Sequence, residues 1–231
     1  KSGFNLRDVM DNKKILLVNL AKGKVGEVNS NLLGLIIVSK LQMAALARAD
    51  LPEEKRNDFF LYIDEFQNFI TDSIATILAE ARKYRLDLII AHQYIGQLLA
   101  GGGVEGKQGS SKIKDAVFGN VGTIISFRIG VDDAETMAKQ FAPVLNEYDV
   151  MNIDKFHAYI RLLIKNAPSK PFTLKTLPPQ KGDPAMGEMV KQLSRLKYGR
   201  DRSLVNAEIL KRTKLGEATT GNDLTDVSSK L

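Results

Sequence analysis

The chain has 231 residues, of which 44% are hydrophobic, and its formal net charge is +6. A chain of this length can bury one sizeable core with an appendage, and the composition is ordinary for a globular protein. It has no cysteine and only two histidines, which excludes disulfides and thiolate metal sites and argues against a histidine-built zinc site.

The first part of the chain predicts a strand, a turn and a long helix. Residues 14–20 are a run of leucine and β-branched residues, typical of a strand buried on both faces. A turn rich in glycine and lysine follows at 21–26, and Asn29 or Ser30 suits the N-cap of a helix that ends near Ala49. Polar residues interrupt the apolar run of this helix, so we interpret it as a buried amphipathic helix and not as a membrane span.

The middle of the chain continues the alternation of strands and helices. Strands are predicted at 59–63 and 86–91, and between them a helix capped by Thr71 or Asp72 has apolar residues spaced by three and four. The next elements predicted are a short helix at 94–100, a flexible glycine-rich loop at 101–111, a strand at 121–129, a helix at 132–141 and a half-buried edge strand at 157–164. This order predicts an α/β fold, with a mostly parallel sheet and helices on both faces.

The last part of the chain has a different composition. Five of the seven prolines fall within 168–184, which we interpret as a linker or a strap over the core. Two polar, basic helices are predicted at about 185–197 and 203–213, and the remaining tail has a composition typical of disorder. The predicted divisions are a core domain at 1–167, the linker at 168–184, a basic helical extension at 185–213 and a tail at 214–231.

The excess positive charge lies in residues 191–214, which hold eight lysines and arginines against two acidic residues. Such a patch can follow a nucleic-acid backbone, and a solvated helical surface explains it equally well, because Tyr198 is the only aromatic residue available for base stacking. The candidate nucleic-acid contacts in this patch are Arg195, Lys197, Arg200 and Arg202. Three lysines in or near the glycine-rich loop would contact a polyanion or solvent: Lys107, Lys112 and Lys114.

Two adjacent carboxylates, Asp64 and Glu65, follow the apolar strand at 59–63, and Gln93 follows the next strand. Neighbouring parallel strands end side by side, so we expect these three side chains to lie together. A site that hydrolyses a nucleoside triphosphate needs a ligand for Mg²⁺ and a group that orients water. Asp64 would serve as the first and Glu65 as the second, with Gln93 sensing the terminal phosphate.

Such a site also needs a positively charged side chain that contacts the transferred phosphate. Arg82 ends the helix between the two strands, where it would reach a nucleotide on a neighbouring subunit. Lys83 and Arg85 compete with it, since any of the three can be a solvated charge at a helix C-terminus. His92 and His157 are interpreted as packed structural residues.

A phosphate-binding loop is the part that the sequence does not supply. Residues 101–108 come within one residue of the pattern GxxxxGK[ST], but Gln108 replaces the hydroxyl that should bind Mg²⁺, and no buried strand leads into the loop. Residues 22–26 do not match either. Because no unit of strand, phosphate-binding loop and helix precedes the carboxylates, and the first residue is lysine, we expect the chain to be the C-terminal portion of a longer protein, with a degenerate paralogue as the alternative.

Three stretches together resemble the HerA/FtsK superfamily of hexameric DNA-pumping ATPases, and most closely the TraG/TraD-type coupling proteins of conjugation and type IV secretion. They are Phe-Phe-Leu-Tyr-Ile-Asp-Glu-Phe-Gln-Asn at 59–68, Glu-Ala-Arg-Lys-Tyr-Arg at 80–85 and Ala-His-Gln at 91–93. Residues 118–135 look like the next strand and helix of that motor domain, and the resemblance covers roughly 1–178. It implies a RecA-like fold, ATP and Mg²⁺ as cofactors, and a ring, usually of six subunits, around DNA.

The resemblance also implies roles for individual residues. Asp64 would be the Walker B aspartate, Glu65 the catalytic glutamate, Gln93 the sensor and Arg82 a finger that acts in trans. Arg128 is a further candidate for a nucleotide or interface contact. The family's membrane anchor is not recognisable here, so the resemblance places the chain in the cytoplasm, at the inner membrane if an anchor lies elsewhere in the protein.

Two other functions remain open at this level. In one, the chain is a non-catalytic fragment that binds DNA or a protein partner through residues 185–214 and the glycine-rich loop. In the other, it belongs to a DNA-repair or chromosome-segregation translocase of the same superfamily, because motor residues do not distinguish these roles.

Overall fold

The computed structural model describes residues 3–69, 77–99 and 111–213. The chain forms two compact units, one comprising Asn5–Pro179 and the other Gln180–Leu231 with Lys1–Phe4. The first unit contains all the strands found among the described residues, together with the predicted catalytic residues.

The first helices are α1 (Leu6–Asp11), α2 (Lys22–Val25) and α3 (Glu27–Leu46), with a short 3-10 turn at Ala47–Asp50. The long helix is confirmed, but the prediction of its N-cap was wrong. Gly26 precedes the helix with a φ of 82°, and this left-handed conformation lets the chain turn into α3 earlier than expected. Ser30 instead lies buried inside the helix, where its Oγ donates to the carbonyl oxygen of Leu20 at 2.9 Å.

The segment predicted as the first strand is not a strand. Residues 14–20 form no regular secondary structure, and Ile15 and Leu17 are 89% and 80% exposed, so burial on both faces was also wrong. A strand exists only through hydrogen bonds to a partner, and no described segment pairs with this one. A cavity of about 990 Å³ lies among residues 14–20, α3 and the strand at 59–63.

Helix α3 has apolar residues on all sides. Leu41 and Ala45 are buried in the core, whereas Val28 and Met43 are 80% and 68% exposed. The expectation of an amphipathic helix was therefore wrong, and burial holds for only one side. Glu27–Asp50 is long and apolar enough to cross a membrane by length and composition, as many core helices of globular proteins are.

Strands β1 (Phe59–Ile63) and β2 (Leu86–Ile90) are confirmed and form a parallel pair, with Phe59 opposite Leu86 and Ile63 opposite Ile90. One face of the pair packs on the core through residues such as Ile63 and Leu86. The opposite face carries Tyr62, which is 73% exposed. Helices were expected on both faces, but within 3–69, 77–99 and 111–213 this face is left open.

The main core lies between α3, the β1–β2 pair and the helical segments that follow each strand. Its buried members are Met10, Leu41, Ala45, Ile63, Phe66, Phe69, Ile77, Ala81, Leu86, Leu98, Ile113 and Val117. The connection from β1 to β2 is helical at 77–80, continues as a 3-10 turn at Ala81–Tyr84 and ends at Arg85, whose φ of 55° is left-handed. The predicted caps Thr71 and Asp72 lie outside the described residues.

Four more helices and two further sheets complete the described part of the first unit. The helices after β2 are α4 (Gly96–Leu99), α5 (Ser111–Asn120), α6 (Val131–Phe141) and α7 (Glu147–Met151). The later strands are β3 (Ile124–Ser126), β4 (His157–Arg161), β5 (Leu163–Ile164), β6 (Ala167–Pro168) and β7 (Phe172–Lys175). The expected helix at 132–141 is thus confirmed, while part of the lysine-bearing loop is the helix α5.

The sheet order differs from the prediction. The α/β class and the parallel pair are confirmed, but β3 pairs antiparallel with β4, and β4 pairs antiparallel with β7. The strand predicted at 121–129 is therefore shorter, and its described partner is antiparallel to it. The alternating burial of β4 is confirmed, yet the strand lies between two others and not at an edge, because one covered face produces the same alternation in either place.

The second unit contains the two helices predicted near the C-terminus, α8 (Pro184–Tyr198) and α9 (Arg202–Thr213). Asp183 caps α8 by accepting a hydrogen bond from the backbone of Ala185, with Pro184 at the first helical position. All residues of α8 are exposed. The proline-rich segment 168–184 is more than a linker, since it supplies β7 to the sheet of the first unit.

Arg48 is a fully buried cation in the first unit. Its Nη1 donates to the carbonyl oxygen of Tyr84 at 3.0 Å, its Nη2 donates to that of Asn57, and its Nε lies 3.2 Å from a carboxylate oxygen of Asp11. Burial lowers the pKa of Arg48, partly offset by Asp11. The side chain thus joins α1, the turn after α3 and the start of β2.

We expect Arg48→Met to lower the free energy of unfolding by about 2–4 kcal/mol, because buried carbonyl groups and Asp11 lose their donor. Lys40→Met is a matched control, since Lys40 is an exposed residue of α3 and its replacement should change stability by less than about 0.5 kcal/mol. Urea unfolding followed by circular dichroism measures both. Equal midpoints for the two variants would contradict the structural importance of Arg48.

Candidate active site at the end of the parallel strands

The parallel register brings the predicted catalytic residues together. Beyond the strands, the backbone N–H of Ala91 donates to the carbonyl oxygen of Ile63 at 3.0 Å, and the N–H of Phe66 donates to that of Ala91 at 2.9 Å. These bonds continue the pairing past both strand ends. Asp64 and Glu65 therefore leave β1 at the same edge at which Gln93 leaves β2, as the sequence predicted.

Two glutamine amides hold the carboxylate of Glu65. Nε2 of Gln93 donates to Oε1 of Glu65 at 2.8 Å, and Nε2 of Gln67 donates to Oε2 at 2.5 Å. The hydrogen bond from Gln93, followed by that from Gln67, lowers the pKa of Glu65, with a smaller contribution from the charge of Lys22. At neutral pH the group is thus an oriented carboxylate, which is the state that a water-activating base requires.

The backbone at Glu65 is in the left-handed region, with a φ of 50°. Oδ1 of Asp64 accepts a hydrogen bond from the N–H of Glu65 at 2.9 Å. On the other side, the backbone N–H and Nδ2 of Asn68 donate to the carbonyl oxygen of Glu65 at 3.0 and 3.1 Å. The peptide groups around Glu65 are therefore held on both sides.

Asp64 is suited to a hard cation. Its Oδ1 receives the N–H of Glu65, while Oδ2 has no hydrogen-bond partner among the described residues. Carboxylate oxygens are the ligands that Mg²⁺ prefers, and Mg²⁺ commonly binds through one or two carboxylates, several waters and phosphate oxygens. In the described part of the chain, no group of three or more His, Cys, Asp or Glu residues is placed to hold a metal.

Phe69 attaches the turn that follows Asp64 and Glu65 to the core. A 3-10 turn at Phe66–Phe69 follows the carboxylates, and both phenylalanines are buried. Phe69 packs on α3 at Gly34, where an added Cβ would come within 2.1 Å of the ring. The absence of a side chain at Gly34 thus allows the close approach that fixes the end of the turn. The cavity described above opens beside it and is lined in part by Asp64 and Glu65.

Arg82 does not join this site within the chain. It lies before β2, at the N-terminal end of the parallel strands, whereas Glu65 lies at their C-terminal end. A strand of five residues spans roughly 17 Å, and this length separates the two ends. Its Nη2 donates to Oδ1 of Asn166 at 3.4 Å. Arg82 is therefore placed away from Gln93 and Glu65, and a catalytic contribution would have to be made to a nucleotide on another subunit.

The other predicted contacts are spread over separate elements. Arg128 is exposed after β3, Lys112 and Lys114 lie in the first turns of α5, and Lys107 is outside the described residues. In the second unit, Arg195 and Lys197 lie in the last turn of α8, and Arg202 begins α9. Arg200 pairs with Glu208 at 2.6 Å, so part of its charge is already neutralised within the chain.

His92 and Asp133 have structural contacts near the end of β2. Burial lowers the pKa of His92, and its Nδ1 lies 3.2 Å from the carbonyl oxygen of Tyr94. Asp133 is buried and accepts a hydrogen bond from the backbone N–H of Ile95 at 3.0 Å. These contacts agree with the interpretation of His92 as a packed residue and tie α6 to the segment that follows Gln93.

Sequence reasoning did not identify Gln67, Asn68 and Lys22 as members of the site. Gln67 and Asn68 stand within the stretch at 59–68 that carries the family resemblance, so their position was a usable signal. Lys22 follows the segment predicted as a strand at 14–20, and under that prediction the loops after successive parallel strands would meet at one edge of the sheet. Its Nζ lies 3.3 Å from Oδ1 of Asn68.

Comparison with known protein families places this chain. Residues 1–141 match the family described as Type IV secretory system Conjugative DNA transfer. The chain belongs to this family. The resemblance inferred from the residues around Asp64, Glu65 and Gln93 is thereby confirmed, while no curated protein matches the chain.

Several solved structures are distantly similar to this member of the conjugative DNA transfer family. The plasmid coupling protein TrwB in complex with ADP and Mg²⁺ is 17% identical, with a TM-score of 0.48 over 63% of this chain and 36% of that chain. The genome packaging NTPase B204 from Sulfolobus turreted icosahedral virus 2, in complex with ATP-gammaS, is 16% identical, with a TM-score of 0.47 over 77% and 74% of the two chains. This chain thus spans about a third of the TrwB chain, and at such similarity neither structure assigns a role to a residue here.

The hydrogen bonds to Glu65 predict a change in titration. Because the folded pKa is lowered, the carboxylate and its amide bonds persist above the usual pKa and are lost as the pH falls through the lowered value. We expect Gln93→Leu to raise this pKa and Gln67→Leu to raise it less. Carbon-13 NMR of labelled glutamate carboxyls, with the Glu65 signal assigned by its loss in Glu65→Gln, measures the midpoints. An unchanged midpoint in Gln93→Leu would contradict the observed hydrogen bond.

Proposed function

We propose that the chain is the catalytic part of an ATP-driven motor that moves DNA during conjugative transfer. The observation that carries this proposal is the hydrogen bond between Gln93 and Glu65, which joins two neighbouring parallel strands beside Asp64. Family membership supports DNA transfer as the process, and the site supports hydrolysis as its source of energy.

Each residue of the site has a defined part in this proposal. Asp64 would hold Mg²⁺, directly or through water, with its Oδ2, which has no partner among the described residues. Glu65 orients the attacking water and accepts its proton, and Gln93 couples the position of Glu65 to the terminal phosphate. When bound, Mg²⁺ supplies charge neutralisation for the phosphate oxygens.

The proposed assembly is a ring of this protein, usually of six subunits, with DNA in its channel. Arg82 supports a ring because it lies at the N-terminal end of the parallel strands, away from Glu65 of its own chain. From there, a nucleotide bound to a neighbouring subunit would be within its reach. The proposed site also requires a phosphate-binding loop, which the patterns at 22–26 and 101–108 do not supply. We further propose that the motor works in the cytoplasm, at the inner membrane and next to a secretion apparatus.

In the longer protein that includes the phosphate-binding loop, we expect DNA-stimulated ATP hydrolysis. Glu65→Gln should lower kcat by about two to four orders of magnitude, because the amide cannot accept the proton of water. Nucleotide binding, measured by fluorescence of a labelled ATP analogue, should persist. The turnover measurement uses phosphate release at saturating ATP.

Glu54→Gln is a matched control for this experiment, since Glu54 is an exposed carboxylate in the short turn before β1, away from the site. Its kcat should remain within about threefold of that of the unsubstituted protein, because no hydrogen bond joins it to Glu65 in the described structure. Hydrolysis that survives Glu65→Gln unchanged would overturn the catalytic assignment.

A second candidate function is DNA binding by the present chain without catalysis. The exposed cations at the end of α8 support it, since Arg195 and Lys197 have no ion pair among the described residues. Lys107, Lys112, Lys114 and Arg202 are further proposed contacts, and Arg128 stays a proposed nucleotide or interface contact. Arg200 is a weaker contact because Glu208 shares its charge.

If α8 follows the DNA backbone, the double variant Arg195→Ala with Lys197→Ala should weaken binding. The slope of log K against log salt should become shallower by about 2, because two phosphate contacts are lost. Lys170→Ala with Lys175→Ala is a control that removes equal charge outside the basic helices. Fluorescence anisotropy with a labelled duplex over a salt series measures the slopes. Identical slopes for both double variants would contradict a specific contact through α8.

A further inference from the structure

The turn after β1 depends on an unfavourable backbone conformation at Glu65. A residue with a side chain in the left-handed region costs on the order of 1 kcal/mol, so its neighbours must hold it there. Asn68 does so with two donors, since its backbone N–H and its Nδ2 both donate to the carbonyl oxygen of Glu65 at 3.0 and 3.1 Å. Loss of either donor would weaken the turn that orients the carboxylate.

The second of these donors requires one particular orientation of the Asn68 side chain. An amide can rotate to exchange its oxygen and its nitrogen, and only one orientation points Nδ2 at Glu65. Nζ of Lys22 donates to Oδ1 of Asn68 at 3.3 Å. Because an ammonium group has donors and no acceptor, Lys22 favours the orientation in which Oδ1 faces it and Nδ2 faces Glu65.

Lys22 is itself placed by local structure. It is the first residue of α2, directly after the segment at 14–20, and its Nζ also lies 3.3 Å from Oε1 of Glu27. It lines the same cavity as Asp64, Glu65 and Asn68. The side chain of Lys24, two residues later in α2, has no hydrogen bond or ion pair with any residue that the structure describes, and its backbone N–H donates to the carbonyl oxygen of Ala21 at 2.9 Å.

We propose that Lys22 is a positioning residue for the hydrolytic reaction and acts on Glu65 through Asn68. This inference rests on the proposed function, because it assigns Lys22 to the site at which Glu65 orients water. Lys22 selects the side-chain orientation of Asn68, Asn68 holds the left-handed turn, and the turn presents the Glu65 carboxylate to Gln93 and Gln67. The segment 22–27, which contains no phosphate-binding pattern, thereby becomes part of the site.

Amide hydrogen exchange in the 231-residue chain tests the structural step without any nucleotide. In Lys22→Met, the backbone N–H of Asn68 should exchange about tenfold faster, because the turn opens more often. Lys24→Met removes the same charge from the same helix and should leave this rate unchanged, and Lys22→Arg should restore most of the protection. Unchanged exchange in Lys22→Met, or equal acceleration in Lys24→Met, would overturn the proposal.

Turnover in the longer protein tests the functional step. Lys22→Met and Asn68→Asp should each lower kcat about tenfold while KM for ATP stays within about twofold, since both disturb the orientation of Glu65 and neither contacts substrate. The double variant should be no slower than the slower single variant, because both residues act along one path. Additive losses would overturn the path through Asn68.

The two proposals fail separately. If Glu65→Gln leaves hydrolysis unchanged while Lys22→Met still accelerates the exchange of Asn68, the catalytic function is wrong and the Lys22 contact is structural only. If Glu65→Gln abolishes hydrolysis while Lys22→Met changes neither exchange nor kcat, the function stands and the assignment of Lys22 is wrong.

Discussion

The parallel pairing of β1 and β2 is the constraint on which the site depends. Five residue pairs in register, continued by the backbone bonds of Ala91 and Phe66, fix where each strand releases its polar residues. A shift of one residue would move Gln93 by about 3.3 Å along the strand and break its 2.8 Å contact with Glu65. The buried face of the pair maintains this register, because Ile63 and Leu86 occupy the core only in one alignment.

The part of the site that follows from topology could be predicted from the sequence. Apolar runs bounded by charges identify β1 and β2, and the rule for parallel strand ends then brings Asp64, Glu65 and Gln93 together. Gln67 and Asn68 could not be placed in this way, because their contacts depend on the left-handed backbone of Glu65. That conformation usually coincides with glycine or asparagine, and a glutamate gives no local signal for it.

Errors in the predicted sheet have a different physical origin. Residues 14–20 and 121–129 have strand composition, but composition does not specify a partner or a direction of pairing. Pairing is a non-local property, so β3 adopts an antiparallel partner in β4, and residues 14–20 have none among the described segments. Local signals were more successful for α6, α8 and α9, since helices form their hydrogen bonds within the segment.

The site and the basic helices rely on interactions that respond differently to salt. The carboxylate of Glu65 is oriented by the neutral amides of Gln93 and Gln67, whose hydrogen bonds depend on geometry and only weakly on ionic strength. Each carboxylate oxygen retains a second lone-pair direction, so these bonds orient Glu65 without preventing contact with water. Contacts of exposed lysines and arginines with DNA are instead screened within about 10 Å at 0.1 M salt. Rising salt would therefore weaken such contacts of the basic helices more than the amide hydrogen bonds to the Glu65 carboxylate, so the two sets of interactions are physically separable.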